Sequence, residues 1–509
     1  MSNLLTRARL RIADETGGAH VGIIVVAVLA LGVISGIIAL WGAQLGKAFW
    51  IGWRPAAPVL LVILVAIVLI VLAFVFSDSG SAPAILGTLA ALAVVGAILL
   101  WVKLPYDTNR QYVADAKATT STISYDQRAP AHVARESSNR NLQNTTGTAQ
   151  TTKSLADVGK YGQWNTLVVR KGPFVGYETV QSLAIPLYGN VKSGDVRLCA
   201  FTPSASLRLG GSMPGNNLDR AVLAATPPDV TFDTNDVYSY CDGSTPKVVI
   251  PLKELDGWYA ASWSAYGVAV YNGHTGKLRI LKTTTGIPGP VYPLSLAETQ
   301  RSAYNASGDF WDYAFGRSGY NDTIGDKGDP NGENATEFGL RVTGTHRINY
   351  VTPLTPRGDS SSVVALSSVT ANTVTSGHRN PLIIQKYSNA KTRTANSAVA
   401  QNLKSQYSWM SDWASGMQIF EIVPSENGTW TASIGQSQSV SYRATIKADG
   451  SAVLYDQNGT EVTRTGVTPA KLTSGGTVPA AGDDLSKMTP AQLHDLAARV
   501  LDELASRAK

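Results

Sequence analysis

The stretch Val59-Leu-Leu-Val-Ile-Leu-Val-Ala-Ile-Val-Leu-Ile-Val-Leu-Ala-Phe-Val-Phe76 decides the architecture, because every side chain in it is apolar. About 20 such residues in a helix cross a ~30 Å hydrocarbon core. Two further runs, 21–41 and 84–101, have the same character and carry no charged side chain. The pattern predicts three transmembrane helices, at about 21–41, 59–76 and 84–101, within residues 21–103. Beyond Lys103 the chain turns polar and rich in Asn, Ser, Thr and Gly. The expected fold class is therefore a membrane-anchored α+β protein: three N-terminal spans, then a large β-rich mixed domain, read as two lobes meeting near 316–336.

Residues 1–20 form a basic N-terminal segment with Arg7, Arg9 and Arg11 before the first run. That run is longer than the apolar core of a signal peptide and lacks a clean small-residue cleavage site, so a retained helix is expected. Charge hardly fixes orientation. Three arginines precede the first run, while Lys47, Arg54, Lys103 and Arg110 lie on the other side, close to a tie under the positive-inside rule. The two cysteines, Cys199 and Cys241, tip the balance. A lone pair of cysteines suits one disulfide in an oxidising compartment, which predicts an extracytoplasmic domain on a plasma (inner) membrane of bacterial or phage type. Two core thiols are the alternative, since free cysteine is often buried.

The net charge of +6 is spread thinly, with only 16% of residues charged. Nucleic-acid binding needs a concentrated basic footprint, and no such run occurs, so nucleic acid is not expected as a partner. Residues 104–160 hold few large apolar side chains and are expected to form a polar stalk, with 106–119 able to prolong the third helix.

From 161 to 470 the signals are those of an α+β domain. Short runs of β-formers occur at 164–169, 195–202, 247–252, 267–271 and 277–282, most bounded by Gly, Pro, Asn or Asp. The segment 266–281 reads as a hairpin turning on Asn272-Gly273, and 441–462 as another unit turning at Asp449-Gly450 and Asn458-Gly459. Hairpins this far apart do not make a propeller repeat. One helix is expected at 295–315, with Ser295 as cap, Glu298 completing a capping box and Gly308 interrupting it. Another is expected at 397–419. The aromatic group of the first (Phe310, Trp311, Tyr313, Phe315) and the group Leu403, Tyr407, Met410 and Trp413 of the second are both expected in the core.

Candidate chemistry is sparse. The acidic, Asn- and Gly-rich loop 321–334 offers Asp322, Asp326, Asp329, Asn331 and Glu333 as oxygen ligands for calcium, although EF-hand spacing is absent. An ordinary turn-rich loop uses the same residues. Zinc, nucleophile-elbow and phosphate-loop motifs do not occur. His274, His346 and His378 read as loop or strand-edge residues. No cofactor is expected beyond that calcium reading.

Residues 471–509 read as a flexible linker and a C-terminal amphipathic helix. Its stripe of Leu493, Leu496, Val500 and Leu504 is expected to bind a partner, because an isolated short helix cannot bury its own apolar face. Gly32, Gly36, Gly87 and Ala91 would allow close helix packing. The expected partners are thus the lipid bilayer and a second copy of the chain or another membrane or envelope protein. The expected function is a non-enzymatic binding, scaffold or assembly component of the cell envelope. The alternatives are a membrane-tethered hydrolase of envelope polymers and an accessory subunit of a transport or secretion machine.

Overall fold

The computed structural model describes residues 44–463 except 79, 143–146, 214, 323–337, 359–361 and 388–395, together with Val26, Gly32, Ser35 and Gly42. The run 21–41 thus lies almost wholly outside the described residues, as does the C-terminal segment 471–509. The described residues up to Val462 form one compact unit, and no division into two lobes is seen among them.

Two helices of 32 residues each, α1 (Gln44–Val75) and α2 (Ala82–Val113), are long and apolar enough to cross a membrane. They pair along their length as an antiparallel hairpin closed by the turn at 76–81. Contact between them is made by Val59, Ala66, Ala90 and Ala97, which are buried, while Gly87 and Ala91 lie exposed. Small alanine side chains let the backbones approach, and Gly87 and Ala91 stand outside this pair's contact. α1 tightens into one 3-10 turn at Arg54–Ala56, where Pro55 and Pro58 offer no N–H to the helix ladder.

α2 does not stop at the end of its apolar run. It continues past Pro105 to Val113, and Leu104 and Tyr112 are buried. Only Ala114, Asp115 and Ala116 separate it from strand β1 (Lys117–Thr119), which pairs in parallel with a strand more than 260 residues later in the chain. The stretch 104–160, whose composition predicts a stalk, is therefore folded into the domain. After β1 it forms helix α3 (Ala131–Arg140), with Val133 and Ala134 buried, and strand β2 (Thr148–Leu155). Its Ser, Thr and Asn side chains are accommodated by hydrogen bonds, such as Ser138 Oγ to Gln181 Oε1 at 2.6 Å.

β2 opens a four-stranded meander with β3 (Gln163–Val169), β4 (Tyr177–Leu183) and β5 (Val196–Ala200). Helix α4 (Leu218–Ala224) leads into a five-stranded sheet of β6 (Val230–Thr231), β7 (Tyr238–Asp242), β8 (Thr245–Asp256), β9 (Ser262–Asn272) and β10 (Leu278–Leu281). β8 and β9 are the longest strands, and most of their residues are buried. Leu167, Val169 and Val180 of the meander pack with Val248, Ile250, Leu252 and Tyr271 of this second sheet. Cys199 on β5 and Cys241 on β7 are joined as a disulfide between the two sheets, with Cα atoms 6.0 Å apart.

The hairpin of β9 and β10 turns differently from the Asn-Gly pattern. Its loop runs from Gly273 to Lys277, and Gly276, not Gly273, takes the left-handed conformation at φ +67°. The Asn272 carboxamide oxygen accepts from the His274 and Thr275 N–H groups at 2.9 and 3.0 Å, an Asx turn that replaces the tight turn.

Next come helices α5 (Leu294–Ala303) and α6 (Phe310–Ala314), separated at Gly308. Ser295 is not the cap of α5. It sits within the first turn, and its N–H and Oγ both donate to the Asp236 carboxylate at 2.7 Å. A six-stranded sheet follows: β1 borders β15 (Ile383–Lys386), then β14 (Ala365–Thr370) and β13 (Ile348–Pro356), which pairs with both β11 (Tyr320–Asp322) and β12 (Phe338–Arg341). Tyr112 of α2 shares a buried cluster with Tyr292, Leu296, Ile348 and Tyr350.

Helix α7 (Asn396–Gln406) precedes the last four-stranded meander, β16 (Gln418–Pro424), β17 (Trp430–Gln436), β18 (Ser439–Ile446) and β19 (Ala452–Tyr455). Gly450 and Gly459 take φ of +81° and +75° in the turns on either side of β19, as Asp-Gly and Asn-Gly pairs require. Leu403, Tyr407 and Met410 are buried against this meander and Trp413 packs at its margin. α6 behaves otherwise: none of its residues is buried, and Trp311 and Phe315 are each 64% exposed. The expectation that both aromatic groups enter the core thus holds for the second and fails for the first.

Candidate functional site

The most organised chemistry among the described residues lies where the hairpin meets the sheets. On α1, Lys47 Nζ donates to Thr226 Oγ1 and to its carbonyl at 2.7 and 2.8 Å. Arg54 donates to Asp229 Oδ1 at 2.6 Å, to the Leu255 carbonyl at 2.8 Å and to the Gly257 carbonyl at 3.0 Å. Trp50 Nε1 donates to the same Asp229 oxygen. Around this ion pair Trp50, Trp53 and Trp258 form a three-ring cluster with centroids 6.1 to 6.3 Å apart. The Arg54 guanidinium lies 5.9 to 6.0 Å from two of these rings, within cation–π range.

On α2, Tyr106 donates to the Gly308 carbonyl at 3.1 Å, and its ring packs 5.6 Å from Phe310 and 5.4 Å from Tyr313. One residue on, Asp107 accepts from the Tyr259 hydroxyl at 2.6 Å. That carboxylate is the main reason the Tyr259 pKa is raised. Tyr112 Oη accepts from the Trp263 N–H at 2.7 Å, and the Arg379 guanidinium sits 5.1 Å from the Tyr112 ring. Arg379 also donates to Asp115 at 2.8 Å, Ser262 Oγ at 3.1 Å and the Gln111 carbonyl at 3.0 Å. These bonds form a collar in which both helices are fixed to β8, β9 and α6.

Inside the collar is a cavity of about 560 Å³, lined chiefly by Asp115, Asp256, Ser262, Ser264, His378 and Arg379, with Trp258 and Tyr259 also on its wall. The two aromatic residues stand on the β8–β9 turn, where Gly257 takes φ +84°, a conformation that costs side-chain-bearing residues 1–3 kcal/mol at about that order. Asp115 is committed to Arg379, and Asp256 accepts a hydrogen bond from Ser264. Glu254, whose Oε1 lies beside Gly377 of the same wall, has its pKa raised, chiefly by burial and then by Asp256. A second cavity of about 550 Å³ holds Asp157 and His346 among threonines; burial raises the pKa of Asp157.

Of the residues singled out by sequence, His378 lines the cavity, whereas Asp322 lies elsewhere. Asp322 ends β11 and pairs with the buried Arg301 at 3.4 Å. Asp326, Asp329, Asn331 and Glu333 lie outside the described residues, and so do Leu493, Leu496, Val500 and Leu504. Among the described residues no group of three or more His, Cys, Asp or Glu is placed to hold a metal. His274 Nδ1 lies 3.2 Å from Thr245 Oγ1, and His378 Nδ1 lies 3.1 Å from the Ser376 carbonyl. Sequence reasoning missed Asp115, Asp256, Trp258, Tyr259 and Arg379. The one local signal was Asp256-Gly-Trp-Tyr259, two aromatic residues placed on a glycine turn.

No family model matches the chain, and neither a curated protein nor a solved structure shows a significant resemblance to it.

Proposed function

We propose that the chain is a membrane-anchored, non-enzymatic binding, scaffold or assembly component of a cell envelope, its sheet domain on the extracytoplasmic side. The observation that carries this reading is the continuity of α2, which runs without a break from a bare apolar surface into a cluster buried among the sheets. A helix used only for tethering needs no such fusion; a helix that must hold a binding surface in fixed orientation does. The Cys199–Cys241 pairing supports an oxidising compartment. The hairpin returns both apolar helices to the same end of the molecule, so a further span at 21–41 would start on the side opposite the sheets.

Protease accessibility tests this directly, in intact cells against inverted vesicles, with and without reductant. Cleavage of the domain only in cells, with a mobility change on reduction, is the expected result. Protection in cells would put the domain in the cytoplasm and end the envelope reading.

The rival, a membrane-tethered hydrolase of envelope polymers, has one observation in its favour: two carboxylates, Asp115 and Asp256, line a polar cavity together. Paired carboxylates are the machinery of glycoside hydrolysis. Under the rival reading, purified full-length protein releases soluble fragments from cell-wall polymer and Asp256→Asn abolishes the release. Under the reading proposed here neither protein releases any.

A further inference from the structure

We infer that the sheet domain itself is seated on the lipid headgroup layer through two aromatic feet, Trp258–Tyr259 on the β8–β9 turn and Trp311–Phe315 on α6. This inference rests on the reading of α1 and α2 as membrane helices and adds a partner surface on the domain. It starts from large apolar side chains left bare. Trp258 is 56% exposed and Tyr259 46%, and Trp311 and Phe315 are 64% exposed.

Their position relative to the helices names the occupant. The lipid-facing surface of α2 reaches Trp101, which is 69% exposed. Tyr106 lies about 7.5 Å further along the axis at 1.5 Å per residue, and it is the residue that packs on Phe310 and Tyr313. The polar layer beyond the hydrocarbon core is roughly 5–8 Å deep on each side. α6 therefore sits within one headgroup layer of the end of the apolar surface. Trp311 stacks on Phe315 at 6.0 Å on the bare side of that helix. The Arg317 guanidinium lies 5.0 Å from the Phe315 ring, where it can meet lipid phosphate.

The other foot has the same relation to α1. Trp258 closes the cluster with Trp50 and Trp53, which immediately precede the apolar part of α1. Tyr259 is held by Asp107, one residue beyond Tyr106 on α2. Tryptophan and tyrosine favour the membrane–water interface, where the ring is in an apolar setting and the N–H or O–H remains wet. Two feet on opposite helices leave the domain no room to stand off from the surface.

The test uses the full chain in lipid nanodiscs, with the native disulfide intact and one added thiol carrying an environment-sensitive fluorophore. Leu92→Cys, 62% exposed and about 13.5 Å along the axis from Trp101, reports on the middle of the span, Trp258→Cys and Trp311→Cys on the feet, and Phe174→Cys on an exposed apolar residue of the β3–β4 loop. Phe315→Cys replaces Trp311→Cys if that variant does not fold. Quenching is read with lipids spin-labelled either on the headgroup or at the end of the acyl chain. The expected result is loss of emission at Leu92 with the chain-end label, and at both feet with the headgroup label, with less loss at Phe174. Quenching at Leu92 with unquenched feet, or equal quenching at Phe174 and the feet, overturns the seating but leaves the span intact. Absence of quenching at Leu92 overturns the membrane reading and the seating together.

Discussion

Two groups of large apolar side chains, both expected in the core, end in opposite places. Leu403, Tyr407 and Met410 enter a buried cluster under β16–β19, whereas Trp311 of α6 and Phe315 just after it face outward. The difference lies in what stands over each group. A four-stranded meander with an apolar face needs a lid, and α7 with the turn after it supplies one. α6 is shorter, with no residue buried, and its inner ring contacts are with Tyr106 of a helix that continues into a bare apolar surface. What an aromatic cluster does is set by what covers it, and under the membrane reading proposed above the cover next to α2 need not be protein.

The comparison is sharpened first through the meander that gives the second group its cover. Glu421 on β16 pairs with Arg128, both almost fully buried, and Arg443 lies buried beside them with its pKa lowered by burial to about 10. Glu421→Gln leaves buried guanidinium charge without its counter-ion, which costs about 3–5 kcal/mol. Denaturant unfolding in detergent should show a loss of that size. A change below about 1 kcal/mol would mean that water or another group compensates the arginines.

Leu403→Ala probes the covered group itself. Removing a buried leucine costs about 2–5 kcal/mol, so the unfolding midpoint should fall clearly. An unchanged midpoint would show that α7 is not seated on the meander.

A pH arm lies on the side of the uncovered group. Asp236, which holds the first turn of α5, has its pKa raised from 3.8 to about 6, chiefly by burial. The folded state then binds the proton more tightly than the unfolded chain. This contribution is fully present below about pH 4 and is lost as the pH rises through about 6, on the order of 3 kcal/mol in all. Asp236→Asn keeps an acceptor for the Ser295 N–H and does not titrate. The stability difference between wild type and this variant should therefore change across that window, and parallel pH profiles would rule out Asp236 as a titrating element.

The smallest effect is expected at the uncovered group. Trp311→Ser and Phe315→Ser should change stability in detergent by no more than about 0.5 kcal/mol, as exposed substitutions do. A loss comparable with Leu403→Ala would place these rings in protein contacts.

Sequence patterning located the two apolar helices because an unbroken apolar run has few other meanings, and it located strands at β3, β5, β8, β9 and β10 because their turns are marked by Gly, Asn and Asp. It could not place residues 104–160, where the buried side chains, such as Tyr112, Tyr125, Val133 and Leu155, are few and scattered among polar ones and so leave no apolar period. The collar was illegible for a different reason. Asp229 meets Arg54, Asp107 meets Tyr259 and Asp115 meets Arg379 across 150 or more positions of chain. Local spacing carries no record of such pairings. The pairing of Asp322 with Arg301 is likewise made by the fold and leaves no mark in the local sequence.

The three residues between α2 and β1 have a mechanical consequence. A long or glycine-rich tether would let the sheets tumble while the anchor leaned. Here Ala114-Asp-Ala116 is too short to act as a swivel, and Asp115 is clamped by Arg379. Under the membrane reading proposed above, any tilt that bilayer thickness or tension imposes on α2 is passed to the six-stranded sheet as a rotation. The domain is then geared to the membrane, and its outer face turns when the rod beneath it leans.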